Sequence, residues 1–307
     1  MYFIPMKQKK SLKDIGFGGA GLSSGGGGYG FGKIEGEIDL VHEAVDVGIE
    51  IFDTAPIYGF NQSEITLGLA LKNLREKVKI VSKSGVTWHP NMRVDMSNDA
   101  KTTQKMLEQS LTNLNTDYID IYMVHWPDPK TDIRYPLEVL AKAQIEGKIH
   151  SIGLCNTNLE DLTKALEMVK VEYLQSECNL FNNPLSELKT IITENNIRTM
   201  GWGTFDKGIL TGSVTKNRNF PKEDARSWAP WWKKSNWKDK VDLVEKLQAS
   251  IEYPMRDIAL QYASSQVDLP LCGFKSSTHI ENIKKALSYE IPDGVMEEIV
   301  HEFNAKI

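Results

Sequence analysis

The chain has 307 residues, 41% hydrophobic and 25% charged, which are ordinary values for a globular protein. A net charge of −5 and a pI near 5.8 argue against a nucleic-acid surface, since phosphate binding needs a local excess of Lys and Arg. No apolar run approaches the length that crosses a bilayer. The first residues, MYFIPMKQKKSLKD, place their basic side chains after a short apolar stretch, the reverse of a secretory leader, so a cytoplasmic location is expected. Cys155, Cys178 and Cys272 are odd in number, far apart and without metal-like spacing, so they read as reduced thiols packed in apolar segments.

In chain order, short β-rich runs alternate with amphipathic helical patterns. The expected strands are Asp14–Gly18, Ile49–Asp53, Lys79–Lys83, Tyr118–His125, Ser151–Asn156, Tyr173–Glu177, Arg198–Trp202 and Leu269–Phe274. Between them, the segment Ser97-Asn98-Asp99 is a start signal for a helix whose face holds Met106, Leu107, Ser110, Leu111 and Leu114. Leu137, Leu140 and Ala141 mark another helix, which Gly147 is placed to stop. Asn158 is a plausible N-cap for the helix of Leu159, Leu162, Leu166 and Val169. Unbroken alternation predicts one α/β domain over residues 1–307, a closed parallel (βα)8 TIM barrel, with a short N-terminal β-hairpin in Met1–Leu12.

Barrel geometry demands that functional residues sit at the C-terminal ends of strands. Asp53, Lys83, His125, Asn156 and Lys275 each end or directly follow an apolar run, so all are expected on one rim. Two motifs mislead. Gly16 to Gly21 fits GxGxxG, but more glycines follow and no helical pattern begins until about Glu35, so the strand-to-helix turn of a dinucleotide fold is missing. Gly27 to Lys33 mimics a phosphate-binding loop, yet Ile34 has no hydroxyl for a magnesium ion. The six histidines form no His-x-His pair, so no metal is expected.

Carbonyl reduction needs hydride delivered to carbon and a proton delivered to the developing alkoxide. Tyrosine, with an ordinary pKa of about 10, is a poor acid at neutral pH unless a neighbouring ammonium favours its phenolate. A carboxylate can hold that ammonium, and a neutral histidine can orient the carbonyl oxygen. Asp53, Tyr58, Lys83 and His125 supply this set.

Here a resemblance to a known family carries the reading further. GIEIFDTAPIYG (Gly48–Gly59), IVSKSG (Ile80–Gly85) and YIDIYMVHWPDP (Tyr118–Pro129) resemble the Asp–Tyr, Lys and His motifs of the aldo-keto reductases. IGLCN, LQSECN and GWGTFDKGILTG (Gly201–Gly212) resemble the cofactor-binding strands of that family, and the similarity spans nearly the whole chain. The segment from Asp224 to Pro230 is most similar to the bacterial and potassium-channel-β-like branch. The resemblance implies Tyr58 as general acid, Lys83 as the partner that lowers its pKa, Asp53 paired to Lys83, and His125 orienting the carbonyl. It implies a nicotinamide cofactor, NADP(H) in preference to NAD(H). Asn156 and Gln175 would hold its carboxamide, Trp202 would stack on its ring, and Gly19 and Ala20 would meet its ribose. Gly203, Thr204 and Phe205 would line the pyrophosphate, and Lys275 with Ser276 would meet the 2′-phosphate. Glu281 and Asn282 occupy the last cofactor motif, although it is about one residue shorter than usual. Cys155 replaces a common serine, and Gly203-Thr204 replaces the usual Ser-Pro.

Tyr58, Trp88, His125 and Trp126 are the expected substrate contacts, and an aromatic wall suits an aryl carbonyl or the apolar face of a sugar. A small-molecule carbonyl is therefore the expected partner, with neither nucleic acid nor membrane. The alternatives are a non-catalytic nicotinamide-binding regulatory subunit and a barrel lyase or hydrolase acting on sugars.

Overall fold

A computed structural model describes residues 10–24, 28–29, 34–91, 93–222 and 224–305. Ten strands form: β1 (Gly16–Gly18), β2 (Ile51–Asp53), β3 (Lys79–Ser84), β4 (Val86–Trp88), β5 (Val94–Met96), β6 (Ile119–Val124), β7 (Ile149–Cys155), β8 (Tyr173–Glu177), β9 (Arg198–Trp202) and β10 (Leu269–Gly273). Eight of them close a parallel barrel in the order β1-β10-β9-β8-β7-β6-β3-β2, and each lies on one of the predicted runs. β4 and β5 form a separate antiparallel hairpin directly after β3, which no strand pattern in the sequence had indicated. Residues 1–9 of the expected N-terminal hairpin lie outside the described residues, and Leu12–Asp14 forms a single 3₁₀ turn.

Side-chain alternation divides the barrel into two apolar regions. Ile51, Val81, Ile121, Met123, Tyr173, Met200, Leu269 and Leu271 point inward and fill the interior. Phe52, Ile80, Tyr122, Ile152, Leu174 and Cys272 point outward against the surrounding helices. The barrel is therefore a packed plug, and polar groups can be accommodated only above it.

The helices obey their sequence signals. Asp99 accepts a hydrogen bond from the Thr102 N–H at 2.9 Å and starts Ala100–Leu114. Asn158 does the same with the Asp161 N–H, also at 2.9 Å, for Leu159–Leu166. Gly147, at φ +74°, follows the helix Arg134–Ile145, where Ala143 is the buried alanine and the expected Ala141 is only half-buried. The helix Gln62–Leu71, which follows the Tyr58 loop, lies so close to Ala100–Leu114 that a Cβ on Gly68 would sit 2.6 Å from the Asn113 carbonyl oxygen.

That contact reverses an ordinary expectation. Gly→Ala inside a helix normally stabilises by about 1 kcal/mol. Here Gly68→Ala should destabilise by roughly 1–3 kcal/mol through overpacking against backbone that cannot give way. Urea unfolding midpoints of the two proteins check this, and a midpoint at or above the parent's would contradict it.

Candidate active site

The site arises from continuing the inward alternation one step beyond the plug. Asp53 stands two residues after Ile51, Lys83 two after Val81, and His125 two after Met123. Gln175 stands two after Tyr173, and Trp202 two after Met200. Each is thereby aimed at the barrel axis on the rim layer, and Tyr58 joins them from the loop after β2.

Lys83 is fully buried and donates to Asp53 Oδ1 at 2.7 Å and to the Thr54 carbonyl at 2.8 Å. Gln175 Nε2 donates to the same Asp53 Oδ1 at 2.7 Å, so one carboxylate oxygen gathers two strands. The Lys83 ammonium lies 5.2 Å from the centre of the Tyr58 ring. The Tyr58 and His125 rings meet edge-on, 5.8 Å apart at 88°. Gly19, from the first loop, is pressed against this group: a Cβ there would lie 2.6 Å from the Asp53 carbonyl oxygen. All four residues of the Asp–Tyr–Lys–His set are thus brought together.

The electrostatics differ from expectation at one point. Enclosure of the phenol, reinforced by the Asp53 charge, holds the Tyr58 pKa well above the ordinary tyrosine value. The Lys83 ammonium donates to Asp53 and to the Thr54 carbonyl, so its charge is shared with the paired carboxylate. Tyr58 is therefore a firmly neutral phenol. Burial, and then the Lys83 charge, push the His125 pKa well below the usual histidine value, so its ring is neutral at physiological pH.

Beside this group, Asn156 adopts a left-handed backbone (φ +55°) and donates from Nδ2 to the His125 carbonyl at 3.0 Å. Its Oδ1 accepts from the Trp202 indole N–H at 2.9 Å. Cys155, where serine was the common residue, donates its thiol to Gln175 Oε1 at 3.4 Å and so keeps a weak donor in place. Trp126 is exposed and meets Trp202 edge-on, with 6.4 Å between ring centres. Trp88, on the hairpin, packs against Phe60 at 5.5 Å.

The far side of the rim is only partly as expected. Gly203 turns at φ +71°, the buried Thr204 hydroxyl donates to the Leu271 carbonyl, and Phe205, half-buried, packs against the apolar core. The Ala20 carbonyl accepts from the Tyr29 N–H at 3.2 Å. Crowding by protein, then Arg226 and to a lesser degree Arg218, pull the Lys275 ammonium down to about 8, with Asp224 opposing. The sequence pointed to Lys275 alone here, since Arg218 and Arg226 lie some fifty residues earlier, Arg226 in the short helix Ala225–Trp228. Ser276 stands at the N-cap of Ser277–Ala286 with its side chain making no capping bond, whereas the Ser277 hydroxyl is committed to Glu43 at 2.5 Å. Glu281 is exposed and pairs with Lys284 at 3.7 Å on its own helix, and Asn282 is half-buried there.

Comparison with known proteins agrees with this architecture. The aldo/keto reductase family profile matches residues 14–301. Aldo-keto reductase YhdN of Bacillus subtilis is 34% identical over 263 residues, covering 83% of this chain and 79% of its own. The NADH-specific methylglyoxal reductase of Escherichia coli is 29% identical, with 84% of each chain covered. The NADP(+) aldo-keto reductase yakc of Schizosaccharomyces pombe is 28% identical, covering 93% of this chain and 86% of its own. A glycerol dehydrogenase structure from Gluconobacter oxydans superposes with a TM-score of 0.82 at 25% identity, covering 99% and 96% of the two chains. A chain that carries this profile along almost its whole length and closes the same barrel belongs to the aldo/keto reductase family of oxidoreductases.

Proposed function

We propose that this protein, acting as a single barrel unit, reduces a small aldehyde or ketone to the alcohol, with NADPH preferred over NADH as hydride source and Tyr58 as general acid. The observation that carries the reading is the Lys83–Asp53 pair at 2.7 Å, set beneath the facing rings of Tyr58 and His125. The donor set fits a phosphate-bearing nicotinamide cofactor: two side-chain amides at one end, Asn156 and Gln175, and Lys275 gathered with Arg226 and Arg218 at the other. Relatives use either dinucleotide by name, so the preference rests on that cationic group.

The cofactor, when bound, supplies the hydride. Neutral His125 donates one ring N–H without adding charge and so orients the carbonyl oxygen. Tyr58, kept protonated by enclosure, releases its proton only to a strong base, and an alkoxide is a stronger base than phenolate. The phenolate left behind faces the Lys83 ammonium, which Asp53 and Gln175 keep in place. Trp88 and Trp126 flank the mouth as apolar walls suited to an aryl carbonyl or a sugar face.

Turnover of an aldehyde and ketone panel with NADPH and NADH tests the reading directly. Tyr58→Phe should lower kcat roughly 100- to 10,000-fold with cofactor affinity nearly unchanged. Retention of half the parent kcat would remove Tyr58 from the acid role.

Lys83→Met leaves the buried Asp53 carboxylate without its cation, which should cost about 3–5 kcal/mol of stability at neutral pH. Chemical denaturation of parent and variant at pH 7.5 measures the loss, and an unchanged midpoint would contradict the pairing.

The third expectation concerns cofactor choice. The Lys275 ammonium titrates near 8 in the free protein, and a bound phosphate raises that pKa. NADPH affinity should therefore be full below pH 8 and fall as pH rises above it. Lys275→Ala should flatten that dependence and weaken NADPH more than NADH; equal losses for the two would count against a 2′-phosphate site.

A further inference from the structure

We propose that Trp202 is a positioning residue as well as a stacking surface: its indole N–H holds the Asn156 amide in one of two flip states, so that Asn156 presents an acceptor to the nicotinamide carboxamide. The proposal rests on the cofactor reading given above and adds a determinant to it.

A side-chain amide turned end for end exchanges oxygen and NH2 with little change of shape, so its partners decide its orientation. Asn156 has two partners that each act in one direction only. The indole N–H is a donor without acceptor capacity and lies 2.9 Å from Oδ1. The His125 carbonyl is an acceptor without donor capacity and lies 3.0 Å from Nδ2. Turning the amide would set N–H against N–H and oxygen against oxygen. The backbone cannot relieve this, because Asn156 is held at φ +55° and its N–H donates to the Gln175 carbonyl at 2.8 Å.

Trp202 is itself secured. It ends β9, its ring meets Trp126 edge-on, and the Lys207 ammonium lies 5.8 Å from its centre. Lys207 is in turn held by Glu177 at 3.0 Å and Asp206 at 2.9 Å. The remaining Nδ2 hydrogen of Asn156 faces the Cys155 sulfur at 3.2 Å. What the amide has left is a lone pair on Oδ1. Gln175 is arranged alike: Nε2 is given to Asp53, and Oε1 takes the Cys155 thiol with one lone pair to spare. Each of the two oxygens therefore keeps one lone pair, which suits the NH2 of a carboxamide. A phenol ring in place of Trp202 would keep the stacking surface and lose the lock.

The test compares NADPH with its 3-acetylpyridine analogue, in which a methyl ketone replaces the carboxamide and no N–H is offered. The intact protein should bind NADPH more tightly, and Trp202→Tyr should reduce that preference roughly three- to tenfold, the worth of one hydrogen bond. Asn156→Ala should reduce it similarly, and Trp202→Phe serves if the tyrosine variant does not fold by thermal unfolding. If Trp202→Tyr or Trp202→Phe weakens both ligands equally, or if the intact protein shows no preference, the lock is overturned while the cofactor reading stands. No binding of NADPH at all by the intact protein would instead overturn the cofactor reading.

Discussion

An ammonium with no exposure to solvent is the constraint on which the site depends. Lys83 cannot remain charged above an apolar plug unless its charge is matched and its hydrogens are accepted. Asp53 supplies the charge and Thr54 a carbonyl, which brings the end of β2 against β3. Gln175, reaching the same carboxylate oxygen from β8 across the barrel, makes the ion pair a crosslink between distant strands. The remaining polar groups follow in sequence: Cys155 on Gln175, Asn156 on Cys155 and His125, Trp202 on Asn156. The rim is one connected hydrogen-bonded layer, and such layers hold orientation well because each member is fixed by the next.

This layer also decides the state of its two reactive rings. A phenol and an imidazole enclosed beside a compensated ion pair both favour their neutral forms. For Tyr58 that outcome is opposite to the effect of an unpaired ammonium. The Lys83 ammonium stands 5.2 Å from the ring centre but is paired with Asp53, and enclosure together with the Asp53 charge raises the phenol's pKa.

A second ionic group shapes the opposite side of the mouth. Asp206 is almost fully buried, yet Lys207 and Lys240 hold its carboxyl below the ordinary range against the opposing effect of burial. Asp224 accepts Arg226 in a two-pronged pair at 2.7 and 2.9 Å, and Arg226 also donates to the Lys207 carbonyl. The Ala225 N–H donates to the Gly28 carbonyl, joining the loop after β9 to the loop after β1. Irregular backbone with strained residues such as Lys207, at φ +58°, is thereby held rigid next to Lys275.

The sequence by itself determined the eight barrel strands, the helix caps at Asp99 and Asn158, and the rim positions of Asp53, Lys83 and His125. These follow from local pattern: alternation of period two, cap chemistry, and polar residues ending apolar runs. The hairpin β4–β5 was not legible, because its strands are three residues each and half-exposed, too short to show alternation. Nor were the Trp202–Asn156 bond, 46 residues apart, or the gathering of Arg218 and Arg226 with Lys275. The family resemblance put Thr204 and Phe205 at the pyrophosphate, while the Thr204 bond to the Leu271 carbonyl and the packing of Phe205 against the core appear only in the folded chain. Only the tertiary structure decided which polar groups satisfy one another and hence the protonation states of Tyr58 and His125. Burial and pairing are properties of neighbours brought together by the closed barrel, and those neighbours are far apart in the chain.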